Sequence, residues 1–264
     1  MTKDQVTAAA SRLWKHFQER SKLDDLPLEE RPTQRAQGYE IQAEIARLSG
    51  QPVVGWKIAA TSLAGQKHIN VDGPLAAPLL DSRVADAASE VPSFSVAGNI
   101  MKVAEAEFAF HFRSPLPPRS APYSTEEVLA AVDTIHPGIE VPDSRYNVFV
   151  KVGAPQLIAD MACASWYALG PAVAADWRAR DLSKHEATAL INGKPVATGT
   201  GANVLGDPRI ALTWIANELS MFAGGISAGQ FVTTGTCVVP PAIAQGDLFA
   251  ADFGEFGSLQ VRLV

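Results

Sequence analysis

The stretch MKVAEAEFAFHF, residues 101–112, places two glutamates among aromatic and small apolar residues. Its aromatic content, its short length and its lack of glycine and proline favour a β-strand. Because side chains alternate between the two faces of a strand, Glu105 and Glu107 share one face, with their Cβ atoms about 7 Å apart. The sequence therefore predicts two carboxylates that point the same way from a largely apolar strand.

These carboxylates need compensation, because they repel each other and are costly to bury unpaired. Three arrangements would remove this penalty: exposure to solvent, pairing with a lysine or arginine, or a divalent cation bound between the two carboxylates. Oxygen ligands without clustered histidine or cysteine suit a hard ion such as Mg²⁺ or Mn²⁺, and an octahedral ion needs a third oxygen. Glu140 in HPGIEVPDSRY (136–146) is the candidate, since it lies on a second short apolar strand. Periodicity alone leaves open both a cation site and a solvated sheet edge.

Two further ionisable residues lie in apolar surroundings. Lys57 lies within VVGWKIAA, residues 53–60. In one interpretation its aliphatic stem packs on apolar neighbours while its ammonium reaches water. In the other it acts as a general acid or base, or as a cation near the carboxylates. Asp160 lies in LIADMACASWYALG, residues 157–170, for which the small side chains predict a helix. Both residues are candidates for a catalytic site, and each also has an ordinary structural interpretation.

The bulk composition excludes several classes of protein. The 264 residues suit one large domain or one domain with a small appendage, and 47% hydrophobic content is typical of a globular fold. The net charge of −6 argues against a nucleic-acid partner, and no apolar run reaches the roughly 18 residues of a membrane span. The charged start has no signal-peptide core, and two cysteines make no disulfide framework or zinc pattern. We therefore expect a cytoplasmic protein.

The order of elements favours an α+β architecture. Helices come first and strands dominate later, without regular βαβ alternation, which indicates a rolled or barrel-like mixed sheet and not a doubly wound one. Three helices are predicted over 4–21, 34–48 and 156–168, and two more begin at Ser124, with a capping box at Glu127, and at Asp207-Pro208. Strands are predicted over 52–61, 101–112, the HPGIEVPDSRY segment and three C-terminal segments. A hairpin is predicted at Asn192-Gly193 and a loop over 72–83.

Several motifs then fit one known pattern. Together they resemble the 2-keto-4-pentenoate hydratase / 4-oxalocrotonate decarboxylase family, a branch of the fumarylacetoacetate hydrolase superfamily. The matching segments, in order, are GWKIAATS, INVDGPLAAPLL, AEAEFAFHF, HPGIEVPDSRY, VATGTGANVLGDPRIALTWIANELS, VTTGT and GDLFAADFGEFGSLQV. The resemblance covers about residues 50–264, so we expect an N-terminal helical region over 1–50 and a catalytic β-roll domain over 51–264.

The resemblance also implies a set of site residues. It implies a Mg²⁺ or Mn²⁺ site formed by three acids, and these fall on the three glutamates already singled out. Lys57 matches the active-site lysine of the family's G-x-K-V-G motif, and Asp160 matches the aspartate of its A-D-N-A-S motif. It further implies substrate contacts from these residues: Asp72, Thr198, Gly199 and Thr234. Related proteins form oligomers, so a homo-oligomer is expected.

The activity implied is hydration of a 2-hydroxy-alkadienoate to a 4-hydroxy-2-oxo acid in aromatic catabolism, through a metal-stabilised enolate. A decarboxylase of 4-oxalocrotonate type uses the same enolate and stays open. A C–C hydrolase would use a histidine–acid dyad, for which no histidine in the N-terminal half has an obvious partner. A non-catalytic protein that binds 2-oxo acids is the alternative of another class. The chain departs from the family pattern at Ala59, Leu75, Ala77, Met161 and Cys163, and a less polar pocket argues against a second substrate carboxylate.

Overall fold

The computed structural model describes residues 1–264, which form six α-helices and twelve β-strands. The helices are α1 (Lys3–Glu19), α2 (Arg35–Ser49), α3 (Leu63–His68), α4 (Thr125–Ala131), α5 (Gly153–Ala159) and α6 (Pro208–Phe222). The strands are β1 (Val53–Ala59), β2 (Leu75–Leu80), β3 (Val84–Asp86), β4 (Ser93–Phe94), β5 (Glu105–Phe112), β6 (Val132–Val141), β7 (Trp166–Leu169), β8 (Glu186–Ile191), β9 (Lys194–Thr200), β10 (Phe231–Thr236), β11 (Leu248–Asp252) and β12 (Ser258–Leu263). No helix combines the length and the apolar character that crossing a bilayer requires.

Two sheets make up the body of the fold. The larger is a mixed sheet of seven strands in the order β2-β1-β10-β5-β6-β7-β3, and the smaller has five strands in the order β4-β12-β11-β8-β9. The larger sheet curls into a half-barrel, and its edge strand β2 contacts the turn at residues 161–163 that leads into β7. The expected rolled mixed sheet with N-terminal helices is confirmed.

Strand β5 lies at the centre of the larger sheet, and its two faces have different partners. Its aromatic face packs on the smaller sheet and on the turn that joins β11 to β12. In that turn, the ring centroids of Phe253 and Phe256 lie 4.7 Å and 5.7 Å from that of Phe108. Its other face carries the two glutamates into the curl of the larger sheet. The alternation predicted from MKVAEAEFAFHF therefore separates a packing face from a chemical face.

The helix ends follow the signals in the sequence. Gly50 ends α2 with a φ of 64°, a conformation that glycine adopts without strain, and Asp207 caps α6 ahead of Pro208. Ser124 and Glu127 form the predicted capping box of α4. Helices α1 and α2 pack on each other, and their buried side chains join the same continuous core as the sheet residues. The division at residue 50 stays a prediction.

The predicted loop over 72–83 is wrong, because β2 occupies most of it. All six residues of β2 are buried, and the strand pairs antiparallel with β1. Pro78 within the segment favoured a loop, but β2 is the edge strand of the sheet, where a missing N–H leaves no ladder bond unmade. A fully buried strand also shows no polar–apolar alternation that would reveal it.

The predicted helix over 156–168 is also wrong beyond its first residues. Helix α5 ends at Ala159, and β7 begins at Trp166. Between them the residues Met161, Ala162 and Cys163 all have positive φ angles, of 55°, 45° and 62°. Such backbone is unfavourable for residues with a Cβ and persists only where surrounding contacts impose it, so local propensity could not predict it.

Candidate metal and active site

The three glutamates converge at the centre of the larger sheet. Strands β5 and β6 are antiparallel, with Glu105 opposite Glu140 and Glu107 opposite Gly138. Carboxylate oxygens of the three glutamates all lie within 4.8 Å of one another. Glu107 and Glu140 are fully buried and Glu105 is partly exposed. The alternative of a solvated sheet edge is therefore wrong, because β5 has neighbours on both sides.

Lys57 reaches the carboxylates from β1. Its Nζ lies 3.0 Å from Glu140 Oε1 and donates a hydrogen bond of 2.9 Å to the Ala162 carbonyl. Burial works against the charged ammonium, but the negative charges of Glu140, Glu105 and Glu107 together outweigh it and raise the pKa of Lys57. Of the two interpretations of this lysine, the structure supports a cation beside the carboxylates, since its head does not reach water.

The carboxyl groups are unfavourably placed without a further cation. Burial raises the pKa values of Glu105, Glu107 and Glu140, in the last case to about 7 despite the attraction of Lys57. Three carboxylates and one ammonium carry a formal charge of −2 in a buried space. One divalent cation would neutralise that charge.

Unsatisfied oxygen atoms supply a test of whether a metal fits. Glu107 Oε1 and both oxygens of Glu140 are buried and accept no hydrogen bond, although Lys57 is close to one of them. Buried polar atoms without partners are rare in folded proteins, and oxygens that ligate an ion are a common exception. The ligand atoms are all carboxylate oxygens, which suits Mg²⁺, Mn²⁺ or Ca²⁺ and not a soft metal. The residues present therefore fit a hard divalent cation.

The second oxygen of Glu107 is held by β10. Glu107 Oε2 accepts a hydrogen bond from the Thr233 hydroxyl and another, of 3.2 Å, from the Gly235 N–H. The predicted Thr234 is also buried, but its hydroxyl donates to the Phe108 carbonyl at 3.1 Å. The structure thus gives the contact with the glutamates to Thr233. The register of β10 against β5 decides which of the two threonines faces Glu107. The pattern of a single sequence does not reveal that register.

Tyr167 on β7 is a site residue that sequence reasoning missed. It pairs with Glu140 across the sheet, and its hydroxyl lies above Gly138, where any Cβ would collide with it. The hydroxyl is buried and has no hydrogen-bond partner. The sequence predicts a helix at residue 167, so it does not predict that Tyr167 pairs with Glu140 across a sheet. Glycine at position 138 and tyrosine at 167 together put an unused hydroxyl beside the carboxylates.

Asp160 supports the turn that contacts Lys57. Its carboxylate is buried, accepts a hydrogen bond of 2.6 Å from the Ser144 hydroxyl and forms an ion pair with Arg145. Arg145 also donates to the Ala164 carbonyl at 2.8 Å, so it ties both ends of the strained turn. Both Asp160 oxygens are occupied by these partners. A direct catalytic role for Asp160 stays a prediction, while its contacts are those of a residue that positions Ala162.

The remaining predicted substrate contacts lie on elements other than β5 and β6. Asp72 is exposed in the turn before β2. Thr198 and Gly199 belong to β9 in the smaller sheet, where Gly199 passes so close to the Cys237 carbonyl that a Cβ would collide with it. Cys237 in turn donates its N–H to the Ala106 carbonyl of β5. The contact of Asp72, Thr198 and Gly199 with a substrate stays a prediction.

One histidine in the N-terminal half does have an acidic partner. His111 Nδ1 lies 2.8 Å from Asp133 Oδ1, near the far end of the β5–β6 pair. Glu107 and His111 are four positions apart along β5, which corresponds to about 13 Å. The sequence-based statement that no such partner exists is corrected, but this pair does not join the carboxylate group.

Comparison with known proteins agrees with this geometry. Residues 84–264 match the family model described as fumarylacetoacetate (FAA) hydrolase C-terminal. The chain is 31% identical over 227 residues to 2-hydroxyhexa-2,4-dienoate hydratase of Comamonas testosteroni, covering 85% of this chain and 84% of that protein. It is 31% identical over 274 residues to 4-oxalocrotonate decarboxylase of Pseudomonas sp. (strain CF600), covering 100% and 98%.

A solved structure extends the likeness to three dimensions. The 4-oxalocrotonate decarboxylase from Pseudomonas putida G7, complexed with magnesium and adipate, superimposes with a TM-score of 0.88 at 27% identity. The match covers 100% of this chain and 99% of that one. The similarity therefore includes the N-terminal helices as well as the sheets.

Proposed function

The chain belongs to the fumarylacetoacetate hydrolase family, and from that premise we propose that it is a metal-dependent hydratase of 2-hydroxy-alkadienoates. The dienol is ketonised, and water then adds at C4 to give a 4-hydroxy-2-oxo acid. The observation that carries this proposal is the convergence of three carboxylates, with unsatisfied oxygens, beside a buried lysine. The hydratase name of a relative that matches 85% of the chain supports the reaction type.

We propose Glu105, Glu107 and Glu140 as the residues that hold Mg²⁺ or Mn²⁺. When bound, such an ion supplies Lewis-acid stabilisation of the negative charge that develops on a 2-oxo acid as protons move along its carbon chain. The protein's part is to fix the ligand oxygens. Thr233 and Gly235 hold one oxygen of Glu107, which leaves the other free.

Lys57 is the proposed proton carrier. Because its ammonium lies beside Glu140 and donates to a carbonyl, we propose that it begins as an acid and hydrogen-bond donor. The Ala162 carbonyl fixes its position from one side and Glu140 from the other. The unpartnered Tyr167 hydroxyl provides a second donor on the same inner face of the sheet. Two donors near one carboxylate group suit a reaction that both removes and delivers protons.

Decarboxylation is the second candidate. The named decarboxylase relative matches the whole chain, and the superimposed decarboxylase structure contains magnesium and a dicarboxylate. The same charge stabilisation serves an enolate formed by loss of CO₂, so the carboxylates and Lys57 do not distinguish the two reactions. The difference lies in whether the pocket accepts a second substrate carboxylate.

The test follows the absorbance of two substrates with Mg²⁺, Mn²⁺ or EDTA present. We expect 2-hydroxypenta-2,4-dienoate to be consumed with metal, without CO₂ release, and to yield 4-hydroxy-2-oxopentanoate. Consumption of 4-oxalocrotonate with equimolar CO₂ would instead identify the decarboxylase. Binding of oxalate without turnover of either substrate would identify a non-catalytic protein.

A matched pair of variants links turnover to the site. Glu107→Ala removes a buried ligand, and Glu126→Ala removes an exposed glutamate of α4. We expect Glu107→Ala to abolish metal-dependent turnover and Glu126→Ala to leave it unchanged. Equal activity of both variants would refute the assignment of the metal site.

We further propose that the protein acts as a homo-oligomer in the cytoplasm, in the breakdown of aromatic compounds. The family likeness supports this, and light scattering of the purified chain measures the subunit number. A monomer with full activity would refute the oligomer.

A further inference from the structure

A second polar cavity lies outside the carboxylate site, between α1, the residues before β3 and the start of β7. It is a small cavity that is partly open to solvent. None of the three glutamates, nor Lys57, lines it. We call it the basic cavity because its lining includes four residues that carry full positive charge, namely Arg20, Lys22, Arg83 and Arg145.

Two of these four charges are already neutralised. Lys22 forms an ion pair with Asp143, and Arg145 forms one with the buried Asp160. Asp143 is the one carboxylate in the lining. Arg20 donates to the Ser95 hydroxyl, a neutral partner. Arg83 has no hydrogen-bonding or carboxylate partner, and Arg20 and Arg145 are the charged groups that act on it. The basic cavity therefore contains two uncompensated positive charges.

Aromatic rings hold Arg83 in place without using its donors. Its guanidinium carbon lies 4.5 Å from the ring centroid of Phe17 and 4.5 Å from that of Trp166. Cation–π stacking of this kind engages the faces of the guanidinium and leaves the N–H groups at its edge free. Burial, followed by repulsion from Arg20 and Arg145, lowers the pKa of Arg83 to about 10. The side chain is thus fixed, half-buried and unsatisfied.

We propose that the basic cavity binds a small dianion, through Arg83 and Arg20. The shared chemistry is that of inorganic phosphate or a short dicarboxylate, since both accept paired N–H donors and both carry the two negative charges that the cavity lacks. Such binding needs no metal and does not depend on the reaction catalysed at the carboxylate site. Through Arg145 and Asp160 the ligand would contact the support of the turn that positions Lys57.

The test is calorimetric titration of the full chain with phosphate and, separately, with succinate, in chloride buffer that contains EDTA. We expect saturable binding of one anion per chain, with acetate at least about tenfold weaker because it carries a single charge. Binding of phosphate alone or of succinate alone would identify which source of the dianion the cavity accepts, and both support the proposal.

Three variants make the test specific. Arg83→Met and Arg20→Met should each weaken binding by about tenfold or more, since each removes a charge-assisted contact. Arg262→Met removes an exposed arginine on β12 and should change nothing. Arg20 is exposed, so its variant keeps the test valid if Arg83→Met fails to fold. Absence of saturable binding, equal binding by Arg20→Met and wild type, or loss of binding in Glu107→Gln would overturn the proposal.

Discussion

Lys57 Nζ and Glu140 Oε1 lie 3.0 Å apart, on strands β1 and β6 that are not neighbours in the sheet. Strands β10 and β5 separate them, so only the curl of the sheet brings the two side chains together. Both residues are almost completely buried. The pair therefore shows that the ionisable side chains of the site meet in the interior of the half-barrel.

Replacing Lys57 by methionine separates catalysis from metal binding. The glutamates remain, so divalent-ion affinity should persist, while turnover of the dienoate should fall by about 100-fold or more through loss of the proton carrier. In EDTA the variant should also lose up to about 3–5 kcal/mol of unfolding free energy, because Glu140 loses its cation and must take up a proton to stay buried. Calorimetry, kinetics and urea unfolding measure the three quantities.

The control for this variant is Lys151→Met, which removes an exposed lysine in the connection between β6 and α5. It should match wild type in all three measurements. Loss of metal affinity in Lys57→Met with Lys151→Met unaffected would show that Lys57 shapes the site and does not only carry protons.

Adjacent threonines on β10 provide a second prediction. Thr233→Val removes the hydroxyl that orients Glu107, and metal affinity should fall by about tenfold, as expected for a group that holds a ligand. Thr234→Val removes a hydroxyl bonded only to the Phe108 carbonyl, so it should cost about 1 kcal/mol of stability and leave metal affinity unchanged. The same loss of affinity in both variants would contradict the assigned register.

The pair formed by Arg145 and Asp160 is expected to matter more than a surface pair. Arg145→Met leaves a buried carboxylate without its cation and should reduce the unfolding free energy by about 3–5 kcal/mol. Arg180→Met breaks an exposed pair with Glu255 and should cost at most about 1 kcal/mol. Urea unfolding of both variants measures the two losses of unfolding free energy. Equal losses would argue against the role of Arg145 and Asp160 in supporting the turn at residues 161–163.

The sequence was informative where chemistry and local pattern coincide. Alternation on β5 placed Glu105 and Glu107 on one face, and an acid on an apolar strand singled out Glu140, which the structure confirms as a neighbour. Helix caps at Ser124 and Asp207 were equally readable, because capping depends on residues a few positions apart.

Sequence patterns failed where distant contacts decide. Strand β2 shows no alternation because it is buried throughout, and its Pro78 is acceptable only at a sheet edge. The turn after Ala159 depends on Arg145 and Ser144, which hold Asp160 from another segment. Tyr167 and Thr233 became site residues only once strand order and register were known.

The pH dependence of stability should differ with and without metal. Burial raises the pKa of Glu140 from 4.5 to about 7. A group whose pKa is raised by folding stabilises the protein below its unfolded pKa, and this contribution is lost as the pH rises through the folded pKa. In EDTA, wild type should therefore lose stability relative to Glu140→Gln between about pH 4.5 and 7.

Added Mn²⁺ should stabilise wild type increasingly over the same interval, because ligands must lose their protons to bind it. Ionisable groups outside the carboxylate site are the same in both proteins, so their effects cancel in the comparison. Thermal unfolding at several pH values provides the measurement. A difference between the two proteins that does not change with pH would contradict the raised pKa of the buried Glu140.

The central claim is that three carboxylates from β5 and β6 hold one hard divalent ion, and its most direct test is calorimetric titration of EDTA-stripped, dialysed protein with Mn²⁺ and Mg²⁺. We predict one ion per chain for wild type, and affinities weakened by about 100-fold or more in Glu105→Gln, Glu107→Gln and Glu140→Gln. No saturable binding of either ion by wild type, or variants that bind as tightly as wild type, would contradict the claim.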